Sequence, residues 1–126
     1  KYVNKYISQR NKLANLYLKY LRETSLKLPK TNKTNQHVYH LFTVRHSKRN
    51  FIIKMLNKKK IGTRIIYPFP INNMNGYKKF NFNNKELKNT IKYSKEIFSL
   101  PLYPELKVSE VKKICSSVKE ILKKIN

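Results

Sequence analysis

Apolar residues recur at helical spacing in four stretches of this chain, and shorter alternating or β-branched runs lie between them. The first stretch places Val3, Tyr6, Ile7, Leu13, Ala14, Tyr17 and Leu21 together, with Lys5, Arg10, Lys12 and Lys19 on a wet face. This predicts a helix over Tyr2 to Leu21, roughly 30 Å long. Leu26 to Gln36 has no period and carries Pro29 among Asn, Thr and Lys, so it reads as a connection. His37 to His46 alternates: Val38, His40, Phe42 and Val44 point one way, His37, Tyr39, Leu41 and Thr43 the other. That is the pattern of a strand with both faces partly covered. Ser47 is placed to cap a second helix over about Lys48 to Lys60, with Phe51, Ile52, Met55 and Leu56 as its buried stripe. Lysines at its end suit the negative pole of the helix dipole, and Gly62 follows as the expected stop.

Thr63 to Tyr67 is a second predicted strand, broken by Pro68 and Pro70. Proline fixes φ and cannot donate to a ladder, so Pro68-Phe69-Pro70 must leave the sheet as a stiff extended loop. Such a loop holds its side chains in fixed positions, and the rest of the chain reads as packing that presents it. Asn72 to Asn84 is Asn-rich, with Gly76 and the rings of Tyr77, Phe80 and Phe82, and is expected to be a loop pinned by those rings. A third helix is expected over Glu86 to Phe98, a third strand over Ser99 to Tyr103 before Pro104, and a fourth helix over Ser109 to Ile125. The last helix has one apolar face: Val111, Ile114, Cys115, Val118, Ile121, Leu122 and Ile125. Helices alternate with strands, which predicts an α/β or α+β layer: about three strands in one sheet with helices packed on it. The 126 residues suit one domain spanning 1–126, with no internal repeat.

The charge changes this picture less than its size suggests. The chain carries +23, from 29 Lys and Arg against 6 acids, all of them Glu. Such an excess is the footprint of a nucleic-acid or anionic-membrane partner. Yet 24 of the cations are Lys, only 5 are Arg, and 15 residues are Asn, which is what an A/T-rich coding sequence produces without selection for binding. Arg is the better reader of bases and phosphates, and the lysines fall on every segment. One cysteine, Cys115, excludes an internal disulfide, fits a reducing and hence cytoplasmic setting, and reads as a small core residue. No run of 18 apolar residues is present, so no membrane span is expected. The chain begins without Met and inside a helical pattern, which points to a fragment of something longer.

Few residue patterns here carry chemistry. Two glycines fourteen apart make no phosphate loop, and the absence of Asp excludes a Ser/His/Asp set. His37 and His40 fall on opposite faces of the expected strand, and no Cys or acid completes a metal site. Basic residues interleaved with rings at Tyr77 to Phe82 have the makings of a single-strand stacking platform, or of a loop anchor. From the residues alone the conclusion is a small basic α/β domain with a stiff Pro-x-Pro loop.

Three segments in order resemble one family. His37-Val38-Tyr39-His40-Leu41-Phe42-Thr43-Val44-Arg45 is similar to the first small-domain strand of the DegT/DnrJ/EryC1/StrS aminotransferases. Gly62 to Asn72 resembles that family's glycine, strand and His-Tyr-Pro-x-Pro-x-His loop, with Tyr77 and Lys78 following at matching spacing. Ser99-Leu100-Pro101-Leu102-Tyr103-Pro104-Glu105-Leu106 resembles its Leu-Pro-x-x-Pro-x-Leu segment. The resemblance implies the small C-terminal domain of a fold type I enzyme dependent on pyridoxal 5'-phosphate, with residues 1–24 as a helix leading out of a missing large domain and residues 37–126 as the small-domain sheet and helices. It implies a homodimer that moves an amino group from an amino acid onto a nucleotide-linked keto-sugar. The lysine that holds the cofactor and most phosphate contacts would lie in that large domain, so no catalytic or cofactor-binding residue is expected here, and the chain alone is expected to be inactive. Tyr67, Asn72 and Arg64 are the substrate-binding candidates by resemblance. Two readings stand for Tyr67, a hydroxyl on substrate or a ring packed under the loop, and two for Arg64, an anion contact or a solvated charge. Ile66 and Asn72 stand where the family often has His, and Asn keeps a hydrogen-bonding amide without a titratable charge. The other reading of the chain is a truncated remnant that binds RNA or an acidic partner without catalysis.

Overall fold

The computed structural model describes residues 1–32, 34–80, 82–83 and 85–125, and for Lys78 the backbone alone. Its elements in chain order are α1 (Val3–Leu21), β1 (Phe42–Arg45), α2 (Arg49–Lys58), 3-10 turns at Ile71–Asn73 and Asn75–Phe80, α3 (Lys88–Glu96), β2 (Ile97–Leu100) and α4 (Val108–Lys123). β1 and β2 pair antiparallel, Phe42 facing Leu100 and Arg45 facing Ile97. α4 packs against both α1 and α2.

The expected three-stranded sheet is corrected to two strands with a single bridge on each outer edge. Thr63 to Tyr67 pairs only at Arg64, whose N–H donates to the Ser99 carbonyl at 3.2 Å while the Ser99 N–H returns at 2.8 Å. Two donor-less prolines follow within six residues, so the ladder does not propagate. On the far edge Lys27 and Arg45 exchange backbone bonds of 2.9 and 3.0 Å.

The first strand is shorter than its alternation suggests. Tyr39 has φ 45°, in the left-handed region, and its N–H donates to Nδ1 of His37 at 2.9 Å. A local side-chain bond of this kind competes with a ladder. The turn also reverses the facing: Tyr39 is buried against Phe42, whereas Val38 and His40 are exposed.

Both ends of α2 differ from expectation. Ser47 does not cap it; Nδ1 of His46 accepts the Lys48 N–H at 3.0 Å instead. Lys60, not Gly62, takes the left-handed position after the helix, at φ 58°. The Ile61 N–H reaches back to the Leu56 carbonyl at 3.0 Å and the Lys60 N–H to Asn57 at 2.9 Å, a Schellman closure with Ile61 buried over the last turn. Within α2, Ile52 and Leu56 are buried, while Phe51 is exposed.

α3 has no buried residue, and it ends early. Ile97 turns to φ −75°, ψ 142°, so Phe98 lies in the sheet, not on the helix, and is buried there. The rings expected to pin the Asn-rich loop do not do so. Tyr77, Phe80 and Phe82 touch one another at centroid distances of 6.2 and 6.0 Å but stay exposed, and the Asn84 end of that segment lies outside the described residues.

One apolar core joins the sheet to the helices: Tyr17, Phe42, Phe98, Ile52, Leu56, Val111, Val118 and Ile121 are among its fully buried members. Burying an aliphatic chain of this size contributes about 2 kcal/mol. Cys115 sits within this core, and burial pushes its thiol up to about 12. Arg10, assigned to the wet face of α1, is half-buried. Its Nη1 donates to the His40 carbonyl at 2.9 Å, with the Tyr39 and Leu102 carbonyls at 3.5 Å. Among the described residues no helix is long and apolar enough to cross a membrane.

Candidate functional site

The Arg64–Ser99 bridge anchors one end of the Pro-x-Pro loop to the sheet, and Ile65 packs against the core. Past this point the side chains turn outward: Tyr67 is 70% exposed and Phe69 63%. Pro70 is extended at φ −70°, ψ 153°, and the chain then closes a 3-10 turn, the Asn73 N–H donating to the Pro70 carbonyl at 2.9 Å. Asn72 sits in that turn, half-buried, and its Nδ2 donates to Oδ1 of Asn73 at 3.0 Å.

Loop and turn form one wall of a cleft of about 680 Å³; Phe82 and the start of α3, at Leu87 and Thr90, form the other. That volume suits a small-molecule site. The structure brings two of the three candidates, Tyr67 and Asn72, into this cleft, and leaves the third outside its lining: Arg64 is fixed by its backbone while its side chain is exposed. Sequence reasoning missed the facing wall. Leu87 and Thr90 stand at the start of a surface helix, and only the fold places them opposite the loop. The cleft surface is almost wholly apolar, with Phe69, Ile71 and Met74 beside the carbon framework of Tyr67, Asn72 and Thr90.

The cleft lining does not fit pyridoxal phosphate on its own. Among the described residues its lining includes no lysine to hold the aldehyde and no cation or convergent donors for a phosphate. Among the described residues no cluster of His, Cys or Glu is arranged to hold a metal ion.

Residues 1–119 match the model of the DegT/DnrJ/EryC1/StrS aminotransferase family. The chain is 32% identical over 122 residues to a dTDP-3-amino-3,4,6-trideoxy-alpha-D-glucose transaminase of Micromonospora megalomicea subsp. nigra, covering 93% of this chain and 33% of that protein. It is 28% identical to a dTDP-3-amino-3,6-dideoxy-alpha-D-galactopyranose transaminase of Aneurinibacillus thermoaerophilus, covering 87% of this chain and 30% of that protein. The crystal structure of S. venezuelae DesV in complex with a ketimine intermediate superposes with a TM-score of 0.90 at 27% identity, over 94% of this chain and 32% of that one. The chain thus spans about a third of the length of the relatives it matches. On this evidence the chain belongs to the DegT/DnrJ/EryC1/StrS aminotransferases, a family of pyridoxal-phosphate-dependent transaminases.

Proposed function

We propose that this chain is the small C-terminal part of a nucleotide-sugar aminotransferase, and that the Tyr67–Asn72 loop closes one side of its substrate cleft. The observation that carries this reading is the apolar cleft that Tyr67 and Asn72 share, at the end of a proline-stiffened loop. In the complete protein the cofactor supplies the chemistry of moving an amino group from an amino acid to a keto-sugar. It is held by residues outside this chain.

The role of this chain is to bind, orient and exclude water. The Asn72 amide, already bonded to Asn73, would turn to meet a sugar hydroxyl when substrate binds, a contact for which an uncharged group suffices. The Tyr67 hydroxyl offers a second polar contact. Phe69, Ile71 and Met74 keep water from the bound sugar. The long α1 leads toward the large domain. The rings left exposed at Tyr67, Phe69, Tyr77 and Phe80 are of the kind covered at a subunit interface, in keeping with a dimer. Arg64 remains a candidate for an anionic group of the substrate once that interface forms.

The test is transamination by the complete protein, with glutamate or glutamine as donor and dTDP-linked keto-sugars as acceptors. Asn72→Ala should raise KM for the sugar nucleotide about tenfold, the cost of one lost hydrogen bond in a desolvated site, with kcat nearly unchanged. Unaltered kcat/KM in both Asn72→Ala and Tyr67→Phe would remove this loop from the substrate site. The 126-residue chain alone should show no cofactor-dependent transamination.

A further inference from the structure

A second cleft lies on the other side of α3. It is built from two adjoining cavities of about 360 and 490 Å³ that share Ser47, Lys92 and Glu96. It shares no lining residue with the Tyr67–Asn72 cleft. Among the described residues five cations reach its walls, Lys27, Arg45, Lys88, Lys92 and Lys95, against one carboxylate, that of Glu96.

Arg45 is held in place there. Its guanidinium carbon lies 3.6 Å from the centroid of the Tyr93 ring, a cation–π contact that holds the group over the ring. Its Nε is 3.6 Å from Oε2 of Glu96, an ion pair too long for a hydrogen bond. Its Nη1 is buried and finds no hydrogen-bond partner among the described residues. The charge is therefore pre-oriented and incompletely satisfied.

A hydroxyl is oriented beside it. Nδ1 of His46 accepts the Lys48 N–H at 3.0 Å, so the neutral ring carries its hydrogen on Nε2. That hydrogen is donated to the Ser25 oxygen, 3.2 Å away. The Ser25 O–H is left to donate into the cleft. Burial lowers the His46 pKa and favours this neutral form.

We propose that this cleft is an oxyanion site that takes a phosphate group, either free or as a monoester, on Arg45, Lys27, Lys92 and the Ser25 hydroxyl. A fixed guanidinium, flexible ammonium groups and a hydroxyl donor match the charge and the several acceptor oxygens of a phosphate. The site is independent of the sugar-binding reading, and its test requires no turnover.

The experiment is calorimetric titration of the full chain with inorganic phosphate and, separately, with glycerol 3-phosphate, at low ionic strength. One saturable site per chain is expected. Ser25→Ala should weaken it about tenfold, as should Lys27→Ala combined with Lys92→Ala. Lys112→Ala and Lys123→Ala, on the outer face of α4, should leave it unchanged. Tighter binding of the monoester would assign the site to a phosphorylated metabolite, and equal binding to free phosphate. Absence of saturable binding, or equal weakening by the α4 variants, would overturn the proposal. Ser25 and the four lysines are exposed, so these variants keep the fold intact.

Discussion

The Tyr17 hydroxyl donates to the Pro101 carbonyl at 2.9 Å, across 84 residues of chain. The Tyr17 ring stacks on Phe42 with centroids 4.7 Å apart, so one side chain ties α1 both to β1 and to the segment after β2. Tyr17→Phe keeps the stack and strips the Pro101 carbonyl of this donor. The expected loss is about 1–2 kcal/mol, the net value of a hydrogen bond plus part of the desolvation cost of its acceptor. Urea unfolding should give a lower midpoint with an unchanged m-value. An unchanged midpoint would mean that water replaces the bond.

The helix stop at Lys60 gives a paired prediction. A lysine at φ 58° carries a steric cost that glycine avoids, so Lys60→Gly should stabilise the fold by about 0.5–1 kcal/mol. Gly62 lacks a positive φ, and a Cβ there would meet nothing within 4 Å. Gly62→Ala should therefore be neutral or slightly stabilising, through the lower entropy of the unfolded chain. Thermal unfolding of the two variants checks both signs, and a large loss in Gly62→Ala would contradict the local geometry.

Lys60 also shows where the sequence stopped being legible. Glycine is the residue type that signals a helix end, and Gly62 lay two positions beyond the true one. Lysine was used there because Ile61, the next residue, could bury itself over Leu56 and complete the closure. Tertiary burial outweighed local preference, and only the fold displays that. The helices were readable from apolar spacing, and α4, which buries the longest such face, was the clearest, whereas α3 buries none. The strands are four residues each, and at that length one left-handed residue, Tyr39, decides where pairing starts. In the candidate site, the two prolines announced the stiff loop that holds Tyr67 and Asn72. Nothing local placed Leu87 and Thr90 across from it, because that contact depends on where α3 packs.

Cys115 should be inert in the folded chain. Burial within the α4 face pushes its thiol up to about 12, and the neighbouring Lys119 offsets this only in part. At pH 8 iodoacetamide should label it at least a hundredfold more slowly than it labels the chain in strong denaturant, because thiolate and access are both lacking. Native labelling at the rate of a free thiol would place Cys115 at the surface, outside the core.

Stability should fall off at both ends of the pH range, for separable reasons. Burial raises the Tyr17 pKa above its ordinary 10.0 and the Cys115 pKa above its ordinary 9.0. Above those unfolded values the unfolded chain loses protons that the folded chain keeps, so stability is full below about pH 9 and declines as pH rises. The acid side is set in part by His46, whose pKa burial lowers from 6.5 despite the opposing pull of Glu96. A lowered folded value means that its contribution is present above 6.5 and is lost as pH falls through the folded pKa, when protonated Nδ1 can no longer accept the Lys48 N–H. His46→Asn offers an acceptor oxygen in place of Nδ1 and removes the titration. Urea midpoints measured from pH 4 to pH 8 should therefore fall less steeply below 6.5 in His46→Asn than in the parent chain. Identical slopes would show that His46 does not govern the acid limb and that the carboxylates do.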